Sequence, residues 1–164
     1  MTATRPAALA RVAARLREEL ANLERVQQAM AEALASWGPQ TPQRPIIHWV
    51  GGLVHDFYTG LEKAFREVSP ELNGLDRDRE SWHRDLLHAM TLDLPGHRPA
   101  VIRRVLEPGL LELLKFRHLY RNLYSFDLRW DRVRGLCELA AALWPETRAD
   151  LDAFAAGVEA MAGV

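Results

Sequence analysis

The chain predicts an all-α fold, an antiparallel bundle of four to five main helices with short accessory helices. Three observations carry that expectation. Apolar residues recur at helical spacing through long stretches, and proline and glycine cluster between those stretches. No stretch shows the sustained alternation and β-branched content of a strand. With 164 residues, the whole of 1–164 is expected to form one domain, large enough to bury a core without disulfide or metal staples.

The elements follow in order. From about Ala7 to Ser36, the residues Leu9, Leu16, Leu23, Met30 and Trp37 fall seven apart, and Ala13, Leu20 and Leu34 interleave. That pattern makes the narrow seam of a long bundle helix. Gln27 interrupts the seam and is expected at its edge. Gly38, Pro39, Pro42 and Pro45 end the helix in a turn. A second helix spans Ile46 to Val68, with Ile46, Val50, Leu53, Phe57, Leu61, Ala64 and Val68 along one side. Gly51 and Gly52 each weaken it by about 1 kcal/mol relative to Ala, so they mark the close approach of a neighbouring helix. No strand precedes them, so they make no phosphate loop.

Ser69-Pro70 and Asn73-Gly74 carry turn chemistry, and Asp76 to Glu80 reads as a charged linker. Ser81 is placed to cap a short helix ending at Met90. Pro99 fits the first turn of a helix running to Leu106, and Pro108 forces a kink or a restart. Leu110, Leu111, Leu113, Leu114, Phe116, Leu119 and Leu123 make the next helix apolar over more than half its circumference, which predicts the central helix of the bundle. Asp127 caps a helix to Leu143. Trp144-Pro145 breaks it, and Pro145 opens a last helix to about Met161.

Composition narrows the function. The 21 basic and 22 acidic residues nearly cancel, so any affinity for nucleic acid has to come from a local patch. The single cysteine, Cys137, has no internal partner, suits a reducing cytoplasm and reads as a small buried residue. No apolar run approaches the ~18 to 20 residues that span a bilayer, so no membrane role is expected. The Arg/Ala-rich start resembles a transit peptide, but Glu18, Glu19 and Glu24 and the unbroken heptad pattern predict a structural helix.

Among chemical candidates, the six histidines show no metal spacing, and no metal or other cofactor is expected. His83 and His88 lie about 140° apart round a helix. His55 and Asp56 are adjacent and are not expected to face each other. Glu62 and Asp85 lack a carboxylate partner at a spacing suited to acid–base work.

Phe116 to Leu128, FRHLYRNLYSFDL, is different. Arg117, Arg121 and Tyr124 fall at i, i+4 and i+7, with Tyr120 on their flank, and His118 and Asn122 form a second pair one turn apart. Guanidiniums are planar forks matched to phosphate oxygens, and tyrosines offer faces on which RNA bases stack. Lys115, Arg117, Arg121, Arg129, Arg132 and Arg134 stand against only Asp127 and Asp131, which makes a basic patch within a neutral chain. The same residues also fit a bundle helix whose arginines pair with carboxylates on its neighbours.

These residues resemble the signature of the HEPN superfamily and, more narrowly, of HepT-like toxins, the ribonuclease partners of minimal nucleotidyltransferase antitoxins. That signature is Arg, four to six residues, His, often then x-Tyr, on a late helix. HDFYTGLEKAF (His55 to Phe65), SWHRDLL (Ser81 to Leu87), HRPAVI (His97 to Ile102) and FRHLYRNLYSFDL are similar to segments that recur in this order in the family.

The resemblance implies a HEPN-type bundle and a homodimer whose two motif helices form one cleft. It also implies metal-independent RNA cleavage in the toxin half of a toxin–antitoxin pair. Arg117 then serves as phosphate and transition-state ligand, and Tyr124 closes the motif. Asn122 stands where the family has histidine, and an amide does not shuttle protons near neutral pH. Local geometry adds His118 as a substitute proton carrier and Arg121, Tyr120 and Lys115 as phosphate or RNA contacts. The antitoxin of some members adenylylates a tyrosine of this motif, and Tyr120 and Tyr124 are both available. A HEPN domain that binds RNA or its partner without cutting is the alternative.

Overall fold

The computed structural model describes residues 5–69, 81–124 and 127–164. Five α-helices account for most of them: α1 (Arg5–Trp37), α2 (Arg44–Val68), α3 (Trp82–Met90), α4 (Glu107–Asn122) and α5 (Trp130–Ala162), with a 3₁₀ turn at Arg104–Leu106. No strand occurs among the described residues beyond one isolated bridge between Leu94 and Arg98. Pro70, Asn73-Gly74 and the stretch Asp76 to Glu80 lie outside the described residues.

Cross-helix contacts set the directions. Arg17 binds Asp152 and Glu159, Glu24 binds Trp144 and Arg148, and the Gly38 carbonyl accepts from Trp130, so α1 and α5 run antiparallel along their length. On the other side of α1, Leu23 lies against Gly60, and Leu16 packs with Ala64. The α1–α2 turn works as its sequence suggests. Gly38 takes a left-handed φ of 46° and its N–H bonds the Leu34 carbonyl at 2.8 Å, which closes α1.

α2, not α4, is the central helix, packing against each of the other four. Its buried stripe is wide enough for that: Ile47, Val50, Gly51, Val54, Phe57, Tyr58, Leu61, Glu62, Ala64 and Phe65. α4 buries Leu110, Leu113, Leu114, Phe116 and Arg117 but leaves Leu119 exposed. Its apolar excess is therefore shared between α2, α3 and α5 on one side and open surface on the other. Gln27, expected at the seam's edge, is buried within it, and its Nε2 has no hydrogen-bond partner among the described residues.

Two further expectations are corrected. No helix starts at Pro99, because the first donors it would need are taken elsewhere: Ile102 N–H reaches the Met90 carbonyl at 3.2 Å and Arg103 N–H the Asp150 carboxylate at 2.8 Å. Val101 N–H also reaches the Met90 carbonyl, at 2.8 Å, and Ala100 N–H bonds the Asp93 carboxylate at 2.7 Å. The two bonds to Met90 close the C-terminal end of α3, so helix resumes only at Glu107, with Pro108 in its first turn. Trp144-Pro145 also fails to break the last helix, and α5 runs through it. Cys137, Ala140, Trp144, Thr147 and Leu151 are buried on both sides of Pro145. That packing outweighs one missing backbone donor, and Thr147 Oγ1 donates to the Leu143 carbonyl at 2.8 Å beside it. Arg129 holds the N-cap position of α5, and Ser81 sits at the cap of α3 without a side-chain cap bond.

Candidate functional site

α2, α3 and α4 bring a polar cluster together around Glu62. Its side chain is 3% exposed, a position for a carboxylate that requires partners. It has three. Oε1 accepts from Arg66 Nη2 at 2.6 Å, one turn along α2, and lies 3.5 Å from Arg117 Nη2 on α4. Oε2 meets His83 Nδ1 of α3 at 2.5 Å. Arg117 Nε also donates to Thr59 Oγ1 at 3.2 Å, while its buried Nη1 has no hydrogen-bond partner in the described structure.

Around that core, the His118 ring packs edge-on against His83 with centroids 4.9 Å apart, and Trp82 does so at 4.8 Å. The Arg66 guanidinium lies over the Trp82 ring. Burial lowers the His118 pKa from its ordinary value, with His83, Arg117 and Arg121 adding to the effect against an opposing pull from Glu62. Its imidazole is therefore held neutral. Burial, and then the Glu62 charge, push the Tyr58 hydroxyl well up. Tyr58 stays a phenol.

The residues singled out from the sequence divide between this cluster and the surface. Arg117 and Arg121 are one turn apart, but Arg117 is buried against a carboxylate of its own bundle, whereas Arg121 is exposed and has no ion pair among the described residues. A buried guanidinium needs such a partner, and an exposed one does not. Asn122 turns back, its Nδ2 donating to the His118 carbonyl at 3.0 Å. Tyr124 is 71% exposed. Lys115 pairs with Glu112 on the surface, Arg129 with Asp131, and Arg134 with Glu138. The basic patch is thus largely neutralised except at Arg121 and Arg132.

Tyr120 belongs to a second cluster. Its ring stacks on His48 and leans on His55, each with centroids at 5.3 Å, and its hydroxyl donates to the His48 carbonyl at 3.2 Å. The ring fits there because Gly51 and Gly52 lie beneath it. A Cβ on either glycine would come within 3.2 Å of Tyr120 atoms. The close approach expected at Gly51-Gly52 is thus met by a side chain. His55 and Asp56, expected not to face each other, do touch, at 3.2 Å. Asp56 is well exposed and swings along the helix surface to reach the ring.

Glu62 and His83 are the functional candidates that the sequence reading weighed and set aside. One signal was present: Glu62 sits four residues after Tyr58 and three before Phe65, inside the apolar stripe of α2. A carboxylate on a buried face implies a cation opposite it. Among the described residues no group of three His, Cys, Asp or Glu side chains is placed to hold a metal ion. Cys137 is buried, and its thiol is pushed up to about 12 by that burial and by Glu138, which makes it a poor nucleophile.

Five packed α-helices with no strand among the described residues form an all-α bundle of the HEPN type. The family model for HepT-like protein matches residues 50–158, from α2 well into α5, and the chain belongs to this family. No curated protein and no solved structure matches the chain. No helix among the described residues is long and apolar enough to cross a membrane.

Proposed function

We propose that this chain, acting as a single domain in the cytoplasm, is the ribonuclease toxin of a toxin–antitoxin pair neutralised by a nucleotidyltransferase antitoxin. RNA is cut without a metal: the ribose 2′-OH attacks the adjacent phosphate, leaving a 2′,3′-cyclic phosphate and a 5′-OH. Arg117 and Arg121 stabilise the phosphorane charge, and an imidazole beside them moves the proton, His118 being the motif's own candidate. Two copies of α4 across a dyad complete the cleft, because Arg117 and Asn122 lie about 140° apart on one helix. Tyr124 and Lys115 flank it as stacking and phosphate contacts, and Tyr124 is the more open tyrosine for adenylylation by the antitoxin.

The observation that carries this reading is a pair of imidazoles, His83 and His118, with ring centroids 4.9 Å apart, at the buried carboxylate that also holds the Arg117 guanidinium: proton carriers next to a phosphate ligand. A second reading, a HEPN domain that binds RNA or its partner without cutting, is favoured by a different observation. Arg117 is already held by Glu62 and Thr59, and Asn122 carries no transferable proton. Incubation of the purified protein with RNA in EDTA separates them. Ends bearing 2′,3′-cyclic phosphate, lost in a folded Arg117→Ala variant, are the expected result. Intact RNA with salt-sensitive binding selects the second reading.

A further inference from the structure

We propose that His83, held by Glu62, is the general base of this site and takes the role of the histidine absent at position 122. The inference rests on the ribonuclease reading above and decides which imidazole performs the proton transfer.

A carboxylate only accepts hydrogen bonds, so the 2.5 Å contact fixes Nδ1 of His83 as the donor and, in the neutral ring, leaves the lone pair on Nε2. The ring cannot swing freely. Trp82 and His118 both pack edge-on against it, and Glu62 is itself anchored by Arg66 and Arg117. The side chain nevertheless keeps 17% of its surface open. An oriented imidazole with one nitrogen on a buried carboxylate and an edge reaching solvent is the arrangement general-base catalysis uses.

Charge chooses between the two histidines. A general base becomes an imidazolium as it works, and that cation needs an anion nearby. His83 meets Glu62 of α2, Trp82 of α3 and His118 of α4, with the carboxylate in direct contact, and the charged groups next nearest along that carboxylate are Arg66 and Arg117. Among the described residues His118 makes no such contact, and burial, His83, Arg117 and Arg121 oppose its protonation against a weaker opposite pull from Glu62. In the step itself, His83 Nε2 takes the 2′-OH proton as the O2′–P bond forms. The P–O5′ bond breaks, O5′ is protonated by water, and the imidazolium returns its proton to solvent. Glu62 is a positioning residue that never touches the RNA.

The test compares cleavage rate, RNA binding and pH profile for wild type, His83→Gln, His118→Gln and Glu62→Gln, with folding followed by circular dichroism. His83→Gln is expected to lose about 10²–10⁴-fold in rate while keeping salt-sensitive RNA binding, and His118→Gln less than about tenfold. Glu62→Gln is expected to displace the acid limb of the kcat/KM profile. Added imidazole should restore cleavage to His83→Ala and not to His118→Ala, a rescue that a purely structural role would not give. Wild-type rate and profile in His83→Gln, or loss and rescue confined to the His118 variants, overturns the assignment while leaving the ribonuclease reading intact. Absence of cyclic phosphate ends in wild type overturns both.

Discussion

Glu62 on α2 and Arg117 on α4 meet at 3.5 Å with both side chains almost wholly out of solvent. The pair joins the central helix to the helix that carries the motif, and Glu62 serves Arg66 and His83 as well. Removing the carboxylate leaves three cationic or donor groups around an uncompensated cavity. Glu62→Ala is therefore expected to cost about 3–5 kcal/mol in urea unfolding at neutral pH. Arg117→Met should cost less, because Glu62 keeps two partners and an unbranched apolar chain fills much of the space. A loss under about 1 kcal/mol in Glu62→Ala would mean that this carboxylate does not tie the helices together.

Glycines in α2 report how tightly its faces are packed. A Cβ at Gly60 would sit 2.9 Å from Leu23 Cδ2, and Leu23 is buried with nowhere to turn. At Gly52 the nearest atom is the Tyr120 hydroxyl at 3.2 Å, the far end of a partly open side chain. Alanine gains about 1 kcal/mol in helix propensity at either site, against overpacking of roughly 1–3 kcal/mol where the neighbour cannot move. Gly60→Ala should lower the melting temperature and Gly52→Ala should leave it near or above wild type. The opposite order would place the tighter interface under Tyr120.

Much of this fold was legible because its signals are local. The proline and glycine cluster around Gly38 bounded α1 and α2, and the helical spacing of leucines found α4. What could not be read depends on partners far along the chain. Pro145 looked like a break because its missing donor is a local fact, while the burial of Trp144 and Leu151 against the bundle is not. The stretch after Pro99 looked helical because nothing nearby shows that the Met90 carbonyl takes its donors. The motif from Arg117 to Tyr124 was found through residue type and spacing. Its counterpart was set aside for the same physical reason: Glu62 and His83 join across 21 positions, and their meaning exists only once α2 and α3 pack.

His118 makes stability depend on pH. Burial, His83 and Arg117 lower its pKa below the ordinary 6.5 in the folded chain. As pH falls through about 6.5, the unfolded chain takes up this proton first, so the folded state loses ground until the folded pKa is passed. The stability is fully present above the unfolded pKa and is lost on acidification, the reverse of a histidine that gains a carboxylate partner. Urea midpoints should fall from about pH 7.5 to about pH 5.5, and the fall should be shallower in His118→Gln. An identical slope in that variant would assign the pH dependence to other groups.

Position 122 tests the motif itself. Asn122 Nδ2 donates to the His118 carbonyl, a bond along its own helix that gives no access to a proton. Histidine there would sit one turn beyond His118 on an exposed face, open to the cleft proposed above between two copies. General acid–base groups contribute about 10²–10⁴-fold, and with His83 already in place the gain should be at the lower end of that range or below it. Asn122→His is thus expected to raise the rate of RNA cleavage by roughly tenfold or more and to make expression more toxic to the host cell. It should do so without loss of thermal stability, because the replaced side chain is exposed and its hydrogen bond among the described residues is to its own turn. An unchanged cleavage rate in a folded Asn122→His protein would mean that position 122 is not where this family places its proton carrier, and the register of Arg117 and Tyr124 on the motif would have to be abandoned with it.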